Sequence, residues 1–221
     1  MDKIKRILQK YKHVWILSYA FIYIPWFLYL EKTVTQNYYV IHTRLDDMIP
    51  FNEYFIIPYL LWFAYVGGAI LYFFFTNKQD YYRLCAYLFT GMTISLLICT
   101  VFPNGTDLRT VVDPDKNFCS KLVYALHSAD TSTNIFPSIH AFNSIGVHIA
   151  VMRSKSLRNY PLIQRGSFVL MIAICMATVV LKQHSVVDVA GSCMMAYALY
   201  PIVYGSEYAR SRRKVARKAL S

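Results

Sequence analysis

Two histidines and an aspartate lie where an apolar chain has no ordinary use for them. The stretch "LKQHSVVDVAG" (181–191) separates the apolar runs "FVLMIAICMATVV" and "SCMMAYALYPIVY". Within it His184 and Asp188 are four residues apart, so on a helix they share one face, a turn apart. The aspartate can then accept the ring N–H of the histidine. That fixes the tautomer and leaves the other ring nitrogen as a nucleophile or base. An aspartate inside an apolar span costs about 3 kcal/mol on insertion scales, so Asp188 reads as paired or functional. The second histidine, His140, closes "FPSIH" (136–140). Proline suits a helix start, and the N–H groups after Pro137 and Ser138 lack intrahelical partners, which makes a natural seat for an anion. His140 there could protonate a leaving group. Arg109, in "FPNGTDLRT", and Lys182 add positive charge, and an arginine can hold a phosphate through a bidentate fork. Together these residues suit a phosphoryl group. Singly, each has an ordinary reading: Arg109 as a loop cation, Pro137-Ser138 as a plain helix start, Lys182 as a snorkelling side chain. His13, His42, His127 and His148 read as interfacial.

The elements that must position this set are set by composition. The 221 residues are 56% hydrophobic and only 16% charged, against about 25% charged in a soluble domain. The apolar residues come in long blocks, not in an amphipathic period, which predicts helices buried all round. Blocks near 13–30, 54–75, 81–102, 137–152, 163–181 and 184–205 predict six spans in one all-α, polytopic membrane bundle. The segment 36–52 is too polar to span and is expected along one membrane surface. The polar stretch 103–136 is expected to be one loop with a short helix around 116–127. Residues 1–53 read as a basic segment, first span and surface segment, 54–205 as the membrane catalytic domain, and 206–221 as a basic tail.

Six spans put both termini on one side. That side takes 17 of the 23 Lys and Arg, including the tail "RSRRKVARK", so it is expected to be cytoplasmic. The net charge of +11 then reflects topology and anionic headgroups rather than nucleic acid. "FPNGTDLRT", "FPSIH" and "LKQH" fall at the opposite, outer face. The five cysteines show no metal-type spacing and suggest no disulfide framework; Cys119, in the polar loop, stands apart. The loop acids Asp107, Asp113, Asp115 and Asp130 fit no cation-loop pattern. The first apolar run lacks a small-residue cleavage site and reads as an uncleaved span.

"FPSIH" followed by "HSVVDV" resembles the second and third motifs of the type 2 phosphatidic acid phosphatase (PAP2) superfamily, which carry Pro-Ser-Gly-His and Ser-Arg-x-x-x-x-x-His-x-x-x-Asp. The motifs cover about 103–191 and the six-span plan covers the rest. The resemblance implies a six-transmembrane-helix bundle, with His184 as phosphoryl acceptor, Asp188 orienting it and His140 as general acid. Arg109 and Ser138 would bind phosphate. Five positions depart from the family: Phe102 where its first motif has lysine, Thr110 where proline follows the arginine, Ile139 for the motif glycine, and Ala177 and Thr178 for Ser-Arg. Lys182 is the nearest substitute cation. Sphingomyelin and inositol-phosphorylceramide synthases are similar in bundle and His-His-Asp set.

The leading expectation is a metal-independent lipid phosphate phosphatase with no cofactor, working through a phosphohistidine at the outer face of the cell membrane. Its expected partners are a phospholipid or lipid-phosphate substrate and the bilayer, without nucleic acid. The alternatives are a lipid phosphotransferase and a non-catalytic protein that kept the bundle.

Overall fold

The computed structural model describes Lys5 and residues 9–219, with side chains as far as Gly205. The basic residues Lys3 and Arg6, and the side chains of the tail 206–221, lie outside the described residues. Among the described residues the fold is all-α apart from one two-residue strand pair and an isolated bridge between Gly105 and Thr133. A 3₁₀ segment (Lys12–Tyr19) runs into α1 (Ala20–Thr33), followed by β1 (Tyr39–Val40), α2 (Arg44–Met48) and α3 (Ile56–Thr76). Then come α4 (Lys78–Val101), β2 (Asn104–Gly105), α5 (Phe118–Ala129), α6 (Ile139–Arg153), α7 (Pro161–Val180) and α8 (Val186–Ala219).

Helix starts follow local chemistry. Asn77 accepts the N–H groups of Gln79 and Asp80 at the head of α4, Asn117 accepts that of Ser120 in α5, and Pro161 opens α7. Each supplies a partner for an orphan donor, or needs none.

Among the described residues five helical stretches are long and apolar enough to cross a membrane: Lys12–Thr33, Glu53–Thr76, Lys78–Val101, Pro161–Val180 and Val186–Gly205. Their outward faces are apolar: Phe21, Phe63, Phe75, Val169, Tyr197 and Ile202 are all more than half exposed. Such a surface suits lipid and not water, consistent with a polytopic membrane protein. The expected fourth span is different. Helix α6 has 15 residues, or about 22 Å at 1.5 Å per residue, against about 30 Å of hydrocarbon. It is the central helix, packed on α3, α4, α7 and α8.

Close approach of α4 to α6 depends on glycine. A Cβ on Gly91 would lie 2.0 Å from the Phe142 ring, and one on Gly146 would lie 2.8 Å from Tyr87 and Leu88. Phe142 and Tyr87 stack at 5.1 Å within the main core, which also holds Phe73, Leu84 and Val147. The polar loop is more ordered than its composition suggests. Helix α5 buries Cys119 and Val123 against Ile56, Tyr59, Ala177 and Leu181, so Cys119 is a core residue. All five cysteines are free.

The segment 36–52 is docked onto the bundle. β1 pairs in parallel with β2, Tyr39 opposite Asn104, and α2 carries a fully buried acid, Asp46. His42 pairs with the carboxylates of Asp47 through Nε2 at 2.7 Å and of Asp107 through Nδ1 at 2.8 Å. These bonds, Asp47 first, raise the pKa of His42. The bond to Asp107 joins this segment to the loop that follows β2.

Candidate active site

The ends of α1, α4 and α7 and the starts of α3, α6 and α8 meet at one end of the bundle, and the candidate residues gather there. Ser185 caps α8. Its hydroxyl accepts the Val187 N–H at 3.2 Å, and Asp188 Oδ2 accepts the Ser185 N–H at 2.9 Å. This is the reciprocal logic of a capping box. The same oxygen lies 3.3 Å from His184 Nδ1, at the long end of hydrogen-bond range. Asp188 is fully buried, and its Oδ1 has no partner. Asp188 therefore serves two masters, the helix start and the imidazole. With Nδ1 on Asp188, the Nε2 of His184 is the ring nitrogen left for chemistry.

His140 is one residue into α6. Its ring stacks on Tyr59 at 4.5 Å and packs against Trp62 at 4.3 Å. Its Nε2 is buried without a partner. The His140 and His184 rings are 6.0 Å apart, centroid to centroid, and both line one cavity of about 350 Å³. One part of its wall is polar: Glu31, Asp130, Thr131, Asn134 and Gln183. The other is aromatic: Tyr23 and Phe27 from α1, Tyr59, Trp62 and Phe63 from α3. Phe63 is 61% exposed on the outer surface of the bundle, so the aromatic side reaches the apolar exterior. Helix α1 packs on α4, leaving the cavity between α1 and α3.

The other sequence candidates are placed differently from expectation. Ser138 is buried and caps α6, accepting the Ala141 N–H at 3.4 Å. It does not line the cavity. Lys182 is 7% exposed, and its ammonium donates to the carbonyl of Asp46. It too is absent from the cavity wall. Arg109 sits behind that wall. Its Nη2 donates to the Thr131 carbonyl at 2.6 Å, Gln183 Oε1 at 2.8 Å and Asp130 Oδ2 at 3.2 Å, and its Nη1 donates to the Asp130 carbonyl at 2.6 Å. Its Nε is buried without a partner. A fork pointing into the cavity is thus replaced by a charge tied to three wall residues. Burial pushes the Asp130 carboxyl up, against the pull of Arg109.

Comparison of the chain with protein-family models, curated proteins and solved structures yields no match.

The sequence missed three participants. Gln183 links Arg109 to His127, donating to His127 Nε2 at 2.8 Å. His127, expected at an interface, belongs to this network. Burial and then the charge of Arg109 lower its pKa to about 4, which keeps it a neutral acceptor. Asp46 is the third. Burial pushes its carboxyl up, but bonds from Val186, Ser185 and Thr43 prevail and hold it below the usual carboxylate range. No three His, Cys, Asp or Glu side chains are grouped to hold a metal ion among the described residues.

Proposed function

We propose that the protein is a lipid phosphate phosphatase acting through a phosphohistidine, with both termini cytoplasmic and the cavity at the outer membrane face. The observation that carries this reading is the His140–His184 pair, 6.0 Å apart in one cavity, with His184 against a buried carboxylate. The motif resemblance and the basic asymmetry support it.

The chemistry is a double displacement. His184 Nε2 attacks phosphorus as the P–O bond to the lipid alcohol breaks, and protonated His140 gives its proton to the departing alkoxide. The incoming phosphate charge favours the protonated form of His140. Water, giving a proton back to His140, then breaks the P–N bond and restores His184. Asp188 stabilises the imidazolium formed on the way. Arg109 contributes a fixed positive charge behind the wall, tied to Asp130, Thr131 and Gln183. The amphiphilic wall, polar at one part and aromatic at the other, suits a polar head on an apolar tail.

The test is product analysis with purified protein in vesicles containing phosphatidate. Release of inorganic phosphate, abolished by His184→Ala, is the expected result. A phosphoryl group moved to another lipid alcohol would make the protein a transferase. Neither product, from folded protein, would overturn the reading.

A further inference from the structure

The turn that carries His184 is tied on both sides to one distant residue. Asp46 Oδ1 accepts the N–H of Val186 at 2.8 Å, and its Oδ2 accepts the hydroxyl of Ser185 at 2.7 Å. On the other side of His184, the ammonium of Lys182 donates to the Asp46 carbonyl. Residue 46 therefore holds residues 182, 185 and 186, and His184 lies between them.

This arrangement is costly. A buried carboxylate is tolerated only when fully hydrogen-bonded, and Asp46, at 0% exposure, takes two more bonds from Thr43, both at 2.8 Å. Lys182 takes a φ of +59°, a left-handed backbone that costs a non-glycine residue roughly 1–2 kcal/mol. A helix start that Ser185 and Asp188 already cap needs neither expense. What the two ties add is a fixed position for the residue between them. Asp188 bonds His184 at only 3.3 Å, so that contact alone does not hold the ring tightly.

We infer that Asp46 is a positioning residue that, together with Lys182, clamps the turn bearing His184 and sets its ring against Asp188. The catalytic part of this inference rests on the phosphoryl-transfer reading; the clamp itself does not. It gives the docked segment 36–52 a purpose and assigns Lys182 to the scaffold instead of the substrate.

Asp46→Asn is informative because each carboxylate oxygen accepts a backbone N–H, from Thr43 and from Val186. An amide nitrogen at either place would face a donor. Ser185→Ala and Lys182→Met each remove one tie and leave the α2 interior intact, so they carry the test if Asp46→Asn fails to fold. With full-length protein in nanodiscs and p-nitrophenyl phosphate as probe, a clamp predicts lower kcat at unchanged KM in every variant. For Asp46→Asn the loss is expected on the order of 10²-fold, as for a catalytic group displaced by about 1 Å. A rise in KM for Lys182→Met at unchanged kcat would return that lysine to phosphate binding and overturn the clamp. A second readout does not depend on turnover: the rate at which diethyl pyrocarbonate modifies His184, followed by mass spectrometry with His148 as internal control. The clamp predicts a changed rate at His184 and an unchanged one at His148 in Ser185→Ala and Lys182→Met. Should the wild-type protein release no phosphate, the phosphoryl-transfer reading falls and this comparison still decides: an unaltered His184 rate overturns the clamp.

Discussion

His140 and His184 ask different things of their surroundings. In the proposed mechanism His184 needs a carboxylate and a free nitrogen, and His140 needs a proton to give. If His140 protonates the leaving alkoxide, its loss should matter most for poor leaving groups. In His140→Ala the turnover of a lipid phosphate should fall much further than that of p-nitrophenyl phosphate, whose phenolate leaves unaided. An unchanged ratio of the two rates would remove His140 from the general-acid role. His127 offers a second test, this time of stability. Its pKa is lowered to about 4 from an ordinary 6.5, by burial and then by Arg109. Between those values the unfolded chain binds more protons than the folded one, so stability rises with pH across the window and is lost as pH falls from 6.5 toward 4. A protonated His127 would also turn a donor toward Gln183 and break the bridge to Arg109. His127→Gln should weaken the dependence of the thermal midpoint on pH in this window; an equal dependence in both proteins would assign the acid sensitivity elsewhere. At this scale the sequence made His140, His184 and Asp188 legible, because an apolar background leaves few reasons for such residues. Asp46 and His127 stood in polar segments, where an acid or a histidine is unremarkable until tertiary packing buries it, and Gln183, beside His184, is an uncharged amide with no chemistry of its own to mark it.

Helix α6 is held by what its neighbours lack. The ring of Phe142 occupies the place where Gly91 would carry a side chain. Gly91→Ala gains about 1 kcal/mol of helix propensity, but its methyl meets a fully buried ring already stacked on Tyr87. Overpacking of this kind costs about 1–3 kcal/mol, so the net effect should be destabilising. Gly91→Ala should lower the thermal midpoint and Gly91→Ala/Phe142→Leu should recover part of it; stability equal to wild type in the single variant would refute tight α4–α6 packing. The long apolar blocks made most of the helices legible. The extent of α6 was legible too, 137–152 against Ile139–Arg153; its reading as a span was not secure, because a block of apolar residues marks burial without saying whether lipid or protein does the burying. The β1–β2 pair and the docking of α2 were also invisible, since two-residue pairings and a single buried acid leave no periodic trace.

For the whole chain, the distribution of basic residues predicts where the loop 103–136 lies. A lone cysteine at position 115, in a cysteine-free background, should react with an impermeant maleimide on intact cells. Reaction only after permeabilisation would invert the proposed orientation and place the cavity at the cytoplasmic face. Substituting the five free cysteines removes no disulfide, although Cys85, Cys99 and Cys119 are buried and are best replaced by residues of similar size.

The cavity that holds both histidines is flanked by Phe27 of α1 and Phe63 of α3, with Phe63 largely exposed to the apolar exterior. A substrate entering there comes from the plane of the bilayer. Its effective concentration is then a two-dimensional one, its mole fraction among neighbouring lipids, and not its amount per volume of buffer. Inert phospholipid added to vesicles at constant bulk phosphatidate should slow turnover by surface dilution, while water-borne p-nitrophenyl phosphate should be hydrolysed at an unchanged rate. Equal slowing of both, or of neither, would mean that the aromatic side of the cavity is not the door.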